Sequence, residues 1–516
     1  MFFVGINDGN VPKKADSRSV LSESDREYLE DKGIVMSASV REKAFTQRFY
    51  LYLIMTKSAE KLYMSYAVKN SEGAALMPSY IIRSMRKMFS HCLKLSYKDT
   101  AQQNSYVTIP RAANSFDNTE IAANVDEDII DSLTGGRLVG SVTSFENFAE
   151  CPLRYYLRYG VDLKEREEFT FSPVNFGVVL HAVIREVCDE IKKNGESYYL
   201  ISEEKRREMV KRSVSAITDI YQNSILKDSS RNSFMIKRME DLADRTIWAM
   251  GEQLKCGDFV PFVFEHKFNM EVGDGDRKQL MSGTIDRVDI CENDTDVYVR
   301  IIDYKTGKKD FNIVKTYYGI DIQLMVYMEA AMKLVAKMRP GKNVLPAGVF
   351  YYNISDPIVS ATNESAKEIE DKIKGELRLK GMVNSDKDIA EKMDNTEGTS
   401  LNIPVSRKAD GGFDSRRSKV MNTEQFNMLG RFVDVRAVDT ADRIAGGDIR
   451  RSPYKDGQFS SCDRCPYGAV CGFSVDLPGC NYRKLKKFDD EVLWNNIKEG
   501  VDENGKKMDT GAEERD

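Results

Sequence analysis

The sequence contains no stretch of the roughly 18 to 20 uninterrupted apolar residues that a membrane helix needs. It also has no basic segment leading into an apolar core and a cleavage site at its start, so a cytoplasmic protein is expected. The G-x-x-x-x-G-K-[ST] loop that cradles nucleotide phosphates is missing, and ATP binding by this chain is therefore not expected. No internal repeat is present, which argues against solenoid and propeller architectures. Neither charge sign dominates: 76 Lys and Arg against 81 Asp and Glu give a net charge of −5. That mild acidity does not exclude a nucleic-acid partner, because phosphate binding depends on locally clustered Lys and Arg.

What is present is the composition of a globular protein, 41% hydrophobic and 30% charged over 516 residues. That length is too great for one ordinary core, so two to four domains are expected. The chain opens abruptly on FFVGINDGNVP, a strand-like run entering a turn, and reads as the middle of something. Helical periodicity follows over 22 to 69, then a strand-like KLYMSYAV and a helix near 78 to 93. Residues 97 to 135 are polar and aperiodic, as in a linker. A new unit begins at Ser141, where Thr143 and Glu146 have capping-box spacing. FGVVLHAVIREVCDEIKK and a charged stretch to about 255 read as helices; FVFEHKFNMEV, KQLMSGTIDRVDIC and VYVRIIDYKTG read as strands. IDIQLMVYMEAAMKLVAK is expected to be helical, VLPAGVFYYNI a strand, 380 to 415 a polar mobile insertion, and 423 to 445 a helix. The charged tail after about 490 is expected to be disordered.

Chemistry concentrates on the strands. Asp303 and Lys305 are two apart in IIDYKTG and so share one face, with Asp286 one strand earlier in GTIDRVD. Hydrolysing a phosphodiester uses a hard cation to polarise the phosphoryl oxygen and activate a water, and Mg²⁺ prefers a few carboxylates plus waters. Lys305 is then suited to position that water or stabilise charge developing on phosphorus. His181 on an apolar helix face reads either as a packed core histidine or as a further metal ligand. Glu265 is another strand carboxylate suited to the metal, whereas His266 beside it is expected to face away and be structural. Gln323 and Tyr327, one helical turn apart, read either as a polar helix edge or as partners of a phosphate or metal-bound water.

Nine cysteines is an odd count, and a close cluster in a reducing compartment points to metal rather than disulfides. Cys462, Cys465 and Cys471 stand in SCDRCPYGAVCGF and need a fourth ligand. Cys151, opening CPLRYYLRYG, is the best candidate; Cys480 is the local competitor and would make a small zinc knuckle. Zinc and iron–sulfur remain equally open on spacing alone. Cys92, Cys188, Cys256 and Cys291 sit in apolar contexts that suit buried thiols.

Taken in order, Cys-Pro-x-x-Tyr, Gly-x-x-x-His (Gly177 to His181), Gly-x-x-Asp-Arg-x-Asp (Gly283 to Asp289), Asp-Tyr-Lys-Thr-Gly, Gln-x-x-x-Tyr and Cys-x2-Cys-x5-Cys resemble the RecB-type PD-(D/E)xK nucleases. More narrowly, the chain is similar to the C-terminal half of the AddB family, and VGINDGNVP, IPVSRKADGGFDSRRSKV and GDIRRSPY extend the likeness along nearly its whole length. The resemblance implies an α/β fold with a mixed central sheet flanked by helices, preceded by a partial helicase-like region. It implies residues 1–135 as the end of that region, 136–490 as the nuclease domain and 491–516 as the tail. His181, Asp286, Asp303 and Lys305 would be catalytic with Gln323 and Tyr327 in support; Mg²⁺ would sit on His181, Asp286, Asp303 and Glu265. Cys151, Cys462, Cys465 and Cys471 would bind a [4Fe–4S] cluster stapling the domain's beginning to its end. The implied activity is cleavage of the 5′-ended strand at DNA ends, beside an AddA-like helicase–nuclease partner, in double-strand break repair. A free-standing RecB-like exonuclease and an inactive DNA-end-binding scaffold are the alternatives.

Overall fold

The structure is a computed structural model that describes residues 1–13, 22–34, 39–70, 74–89, 124–126, 128–130, 139–164, 173–220, 230–272, 279–360, 364–475 and 480–513. The chain forms two compact units, one of Met1–Ile121 with Gly468–Tyr482 and one of Ala122–Tyr467 with Arg483–Asp516. Most of the expected linker, and Cys92, lie outside the described residues.

In the first unit β1 (Phe2–Phe3) pairs in parallel with β2 (Tyr63–Met64), beside helices α1 (Glu23–Asp31), α2 (Val40–Thr56) and α3 (Tyr80–Met88). Ser39 and Glu42 close a reciprocal capping box that starts α2. Ile6, Leu51 and Ile81 form a small core. The strand expected in KLYMSYAV is therefore only two residues long.

The second unit is built on a mixed sheet, seven-stranded among the described residues. Its strands are β3 (Val139–Ser141), β4 (Val260–Val272), β5 (Gln279–Glu292), β6 (Asp296–Lys305), β7 (Asn343–Asn353), β8 (Lys380–Asn384) and β9 (Val420–Met421). The order is β3-β5-β6-β7-β8-β9, with β4 antiparallel to β5 on its other side. Along β6 the side chains alternate: Val297, Val299 and Ile301 enter one core, Tyr298, Ile302 and Tyr304 the other. Helices α4 (Val142–Glu150), α5 (Pro152–Tyr155), α6 (Pro173–Lys193), α7 (Glu203–Ile220) and α8 (Ser230–Lys255) precede β4. Of these, α6, α7 and α8 cover the Tyr304 face. The opposite face is covered by α10 (Gln323–Met338), which follows the short α9 (Ile313–Tyr317) on the crossover from β6 to the parallel β7. With helices on both faces, the central strands read as apolar runs rather than as half-polar alternation.

One ionic group lies inside the sheet. Asp289 accepts from Arg287 Nε and Nη2 at 2.7 and 2.6 Å and from Arg300 Nε at 2.9 Å. All three residues are at most 1% exposed.

Two expectations are corrected. The segment after residue 380 is structured: β8 joins the sheet, and α12 (Lys387–Met393), which follows α11 (Ala366–Glu376), buries Ile389, Ala390 and Met393. Its polar residues are spent internally, as where Asp394 accepts from Ser400 Oγ at 2.6 Å and Asn402 Nδ2 at 3.1 Å. The tail is likewise no coil. Residues Asp490–Glu513 form a helix in which Leu493 and Ile497 are buried in the core shared with α13 (Thr423–Ala445). Two well-spaced apolar residues outweigh the charged composition there. Among the described residues no helix is long and apolar enough to cross a membrane.

Candidate active site

The sheet opens into a fork at its acidic end. β5 pairs with β3 over Leu280–Ser282 and with β6 over Arg287–Glu292, so residues 283–286 lie between the two arms. Asp286 stands at the branch, and its Oδ2 accepts the Tyr304 backbone N–H at 2.7 Å, tying β5 to β6 where their ladder ends. Gly283 is needed for close approach: a Cβ there would meet the Phe268 ring at 2.6 Å and Tyr327 at 3.1 Å.

Across the other ladder, β4 pairs Phe264 with Arg287 and His266 with Ile285, leaving Glu265 opposite Asp286. Glu265 has φ +47°, a left-handed backbone that costs a non-glycine residue about 1–2 kcal/mol. His181 reaches the same point from α6, its Nδ1 3.5 Å from Asp286 Oδ2 and 3.7 Å from Glu265 Oε1, with its ring edge-on to Tyr304. The ligand atoms of His181, Glu265 and Asp286 all lie within 4.8 Å of one another, the one such group of three among the described residues. Burial lowers the imidazole's pKa, but hydrogen bonds to Asp286 and Glu265 outweigh it and raise it to about 10. Without a metal, His181 is an imidazolium clamped by two carboxylates.

Asp303 is not one of those three. Its Oδ2 is 2.5 Å from Lys305 Nζ, and its Oδ1 accepts from Gln323 Nε2 at 3.0 Å. Gln323 also accepts from Lys305 Nζ at 3.0 Å and donates to the Tyr327 hydroxyl at 3.0 Å. Burial, with the nearby Asp286 carboxylate adding to it, pushes Asp303 above the usual carboxylate range against the pull of Lys305. Asp303, Lys305, Gln323 and Tyr327 thus form one hydrogen-bonded set. His266 lies outside both groups.

Sequence reasoning missed a further layer. Glu146 is no partner of Thr143: the cap of α4 is Ser141, which accepts from the Ser144 N–H. Glu146 instead reaches α10, where its Oε1 accepts the N–H groups of Ile322 and Gln323 at 2.9 and 3.0 Å. Burial raises its carboxyl to about 7, with Lys309 opposing the rise and Asp321 adding to it. Asp321 pairs with Lys309 Nζ at 3.0 Å and accepts from the Tyr351 hydroxyl at 2.6 Å. No local spacing marks these residues, because their partners come from distant elements.

The cysteines are divided. Cys151, Cys462 and Cys465 belong to the second unit, Cys471 and Cys480 to the first. Cys151 is buried at the junction of α4 and α5. Burial raises its thiol pKa; the backbone N–H groups of Arg154, Ser452 and Leu153 oppose the rise, and the nearby Cys465 adds to it. The turn bearing Cys462 and Cys465, closed by Cys465 N–H to Cys462 O at 3.1 Å, follows the hairpin of β10 (Tyr454–Asp456) and β11 (Phe459–Ser460). That hairpin is extended in parallel by β12 (Arg483–Lys484), and Arg483 donates to the Ala149 carbonyl of α4. Cys151, Cys462 and Cys465 do not converge within 4.8 Å as a group of three.

A sheet forked at its acidic end, with an acid-x-lysine pair on the second arm, is the framework of a metal-dependent nuclease, and residues 140–472 match the model of the PD-(D/E)XK nuclease superfamily. The chain belongs to that superfamily. It is also 31% identical to an AddB-type protein of Clostridium acetobutylicum, named as a subunit of an ATP-dependent helicase/deoxyribonuclease, over 98% of this chain and 48% of that protein. The protein of the same name from Lachnoclostridium phytofermentans is 31% identical over 100% of this chain and 48% of its own length. That from Caldanaerobacter subterraneus is 30% identical over 100% and 49%. The chain therefore spans about half the length of the curated relatives it matches.

Proposed function

We propose that this chain carries a divalent-metal-dependent deoxyribonuclease that hydrolyses phosphodiesters at DNA ends. The observation that carries the reading is the convergence of His181, Glu265 and Asp286 beside the Asp303–Lys305 pair. One imidazole and two carboxylates suit a hard divalent cation, Mg²⁺ by preference, with Asp303 completing the set from the adjacent arm. When bound, the cation supplies Lewis-acid polarisation of the phosphoryl oxygen and a lowered pKa for water. Lys305, held by Gln323, orients the attacking water or stabilises charge developing on phosphorus. Asp303 keeps that ammonium in place, and Gln323 and Tyr327 fix the geometry of both.

The relatives' name, a subunit of a helicase/deoxyribonuclease, supports placing this activity beside an AddA-like motor protein in double-strand break processing, with the 5′-ended strand as substrate. A [4Fe–4S] cluster on Cys151, Cys462, Cys465 and Cys471 fits the donor set in two respects. Three backbone N–H groups aimed at the Cys151 sulfur suit a metal-bound thiolate. Three thiols wider than 4.8 Å favour a multi-atom cluster over a single zinc ion. The residues before about 135 would then be the end of a helicase-like region.

Cleavage of end-labelled DNA in Mg²⁺ tests the central reading. Asp303→Ala and Lys305→Ala are each expected to lower kcat by about 10³-fold or more; undiminished cleavage by either would sink it. Anaerobically purified protein should be brown and iron-bearing, and should lose its colour in Cys151→Ala.

A further inference from the structure

The first turn of α10 has no local side-chain cap: Ile322 occupies the cap position and offers no acceptor. The first backbone N–H groups of any helix lack intrahelical partners and must find them elsewhere. Here Ile322 and Gln323 both donate to Oε1 of Glu146, a residue 176 positions upstream of the first. A carboxylate at this end of a helix is also favoured by the helix dipole. Gln323, whose amide is fixed in this way, is the residue whose side chain bridges Asp303, Lys305 and Tyr327.

The geometry points to Glu146 as a positioning residue of the nuclease site: it fixes the Gln323 backbone so that the Gln323 side chain holds Asp303 and Lys305 together. The inference rests on the nuclease reading above, and Glu146 itself acts through Gln323 rather than on substrate. A single oxygen, Oε1, receives both amides, so a glutamine carbonyl in the same place can replace it and an alanine cannot. Residues that orient groups bound to a reacting centre typically cost about 10- to 100-fold when removed. A misplacement of about 1 Å has a comparable effect.

The experiment is a double-mutant cycle on the full 516-residue chain, using end-labelled DNA and Mg²⁺. Glu146→Ala is expected to lower kcat by about 10- to 100-fold with KM for DNA unchanged. Glu146→Gln should retain activity to within about threefold, and Glu146→Ala should cost less than about twofold more in a Gln323→Ala background. Fully multiplicative losses, or a Glu146→Gln variant as poor as Glu146→Ala, would overturn the assignment. Should Glu146→Ala not fold, Glu146→Asp, one methylene short, carries the same comparison with glutamine. Independently of turnover, a crystal structure of whichever variant folds should show Gln323 Nε2 out of hydrogen-bond reach of Asp303, and an unchanged contact refutes the positioning role. Absence of Mg²⁺-dependent cleavage by the wild-type chain overturns the nuclease reading instead, and the crystallographic contact separates the two failures.

Discussion

Removing the Asp289 carboxylate tests how the acidic strand is held. Asp289 is fully buried between Arg287 and Arg300, and Arg287 directly follows Asp286 in β5. Deleting one partner of a buried ion pair costs about 3–5 kcal/mol, because the remaining charge is left without compensation. In Asp289→Ala one deletion strands two guanidiniums that are each 1% exposed, which puts the loss at the upper end, about 5 kcal/mol. Asp289→Asn keeps the shape and one acceptor oxygen and should lose less. Both tryptophans, Trp248 and Trp494, lie in the second unit, so urea unfolding followed by fluorescence reads this unit. A loss below about 1 kcal/mol in Asp289→Ala would refute the reasoning and mean that the guanidiniums find other compensation. The pH dependence follows from the same contacts. Burial alone would raise the Asp289 pKa, but Arg287 and Arg300 outweigh it and hold the carboxyl below its usual range. Its stabilisation is therefore complete above the unfolded-state value of about 3.9 and is lost as pH falls through the lower folded-state value.

At Glu265, φ +47° strains every residue with a Cβ, so Glu265→Gly should be more stable than Glu265→Ala by about 1 kcal/mol in thermal or urea denaturation; equal stabilities would show that the backbone relaxes. In metal-free protein, the raised pKa of His181 means that its interaction with Asp286 and Glu265 stabilises fully below about pH 6.5 and is lost as pH rises through about 10. Tm measured with a chelator should therefore fall across that window in wild type and much less in His181→Ala.

The sequence made the local parts of this molecule legible and left the distant ones hidden. Asp303 and Lys305 were readable as a pair because a strand's period of two places them on one face, and they lie 2.5 Å apart. Gln323 and Tyr327, one helical turn apart, were readable in the same way and are hydrogen-bonded. The strands β4 to β7 followed from β-branched and aromatic runs. Glu146 was misread because Thr143-x-x-Glu146 mimics a cap, whereas its true partners lie on another element. The fork itself depends on which part of β5 pairs with β3 and which with β6, a register that no local pattern encodes. The final helix was hidden because composition over a charged window masks two residues, Leu493 and Ile497, whose burial decides the outcome.

The long-range cap on α10 also bears on the order of events during synthesis. His181, Glu265, Asp286 and Gln323 come from four separate elements, and the bond that fixes the last to Glu146 closes a loop of 177 residues. A ribosome-bound chain that has not yet released α10 has no assembled cleft, however well its earlier helices have formed. A stalled or clipped fragment ending before residue 323 would be inert toward DNA. For a protein with a cutting centre, late assembly confines the hazard to finished molecules.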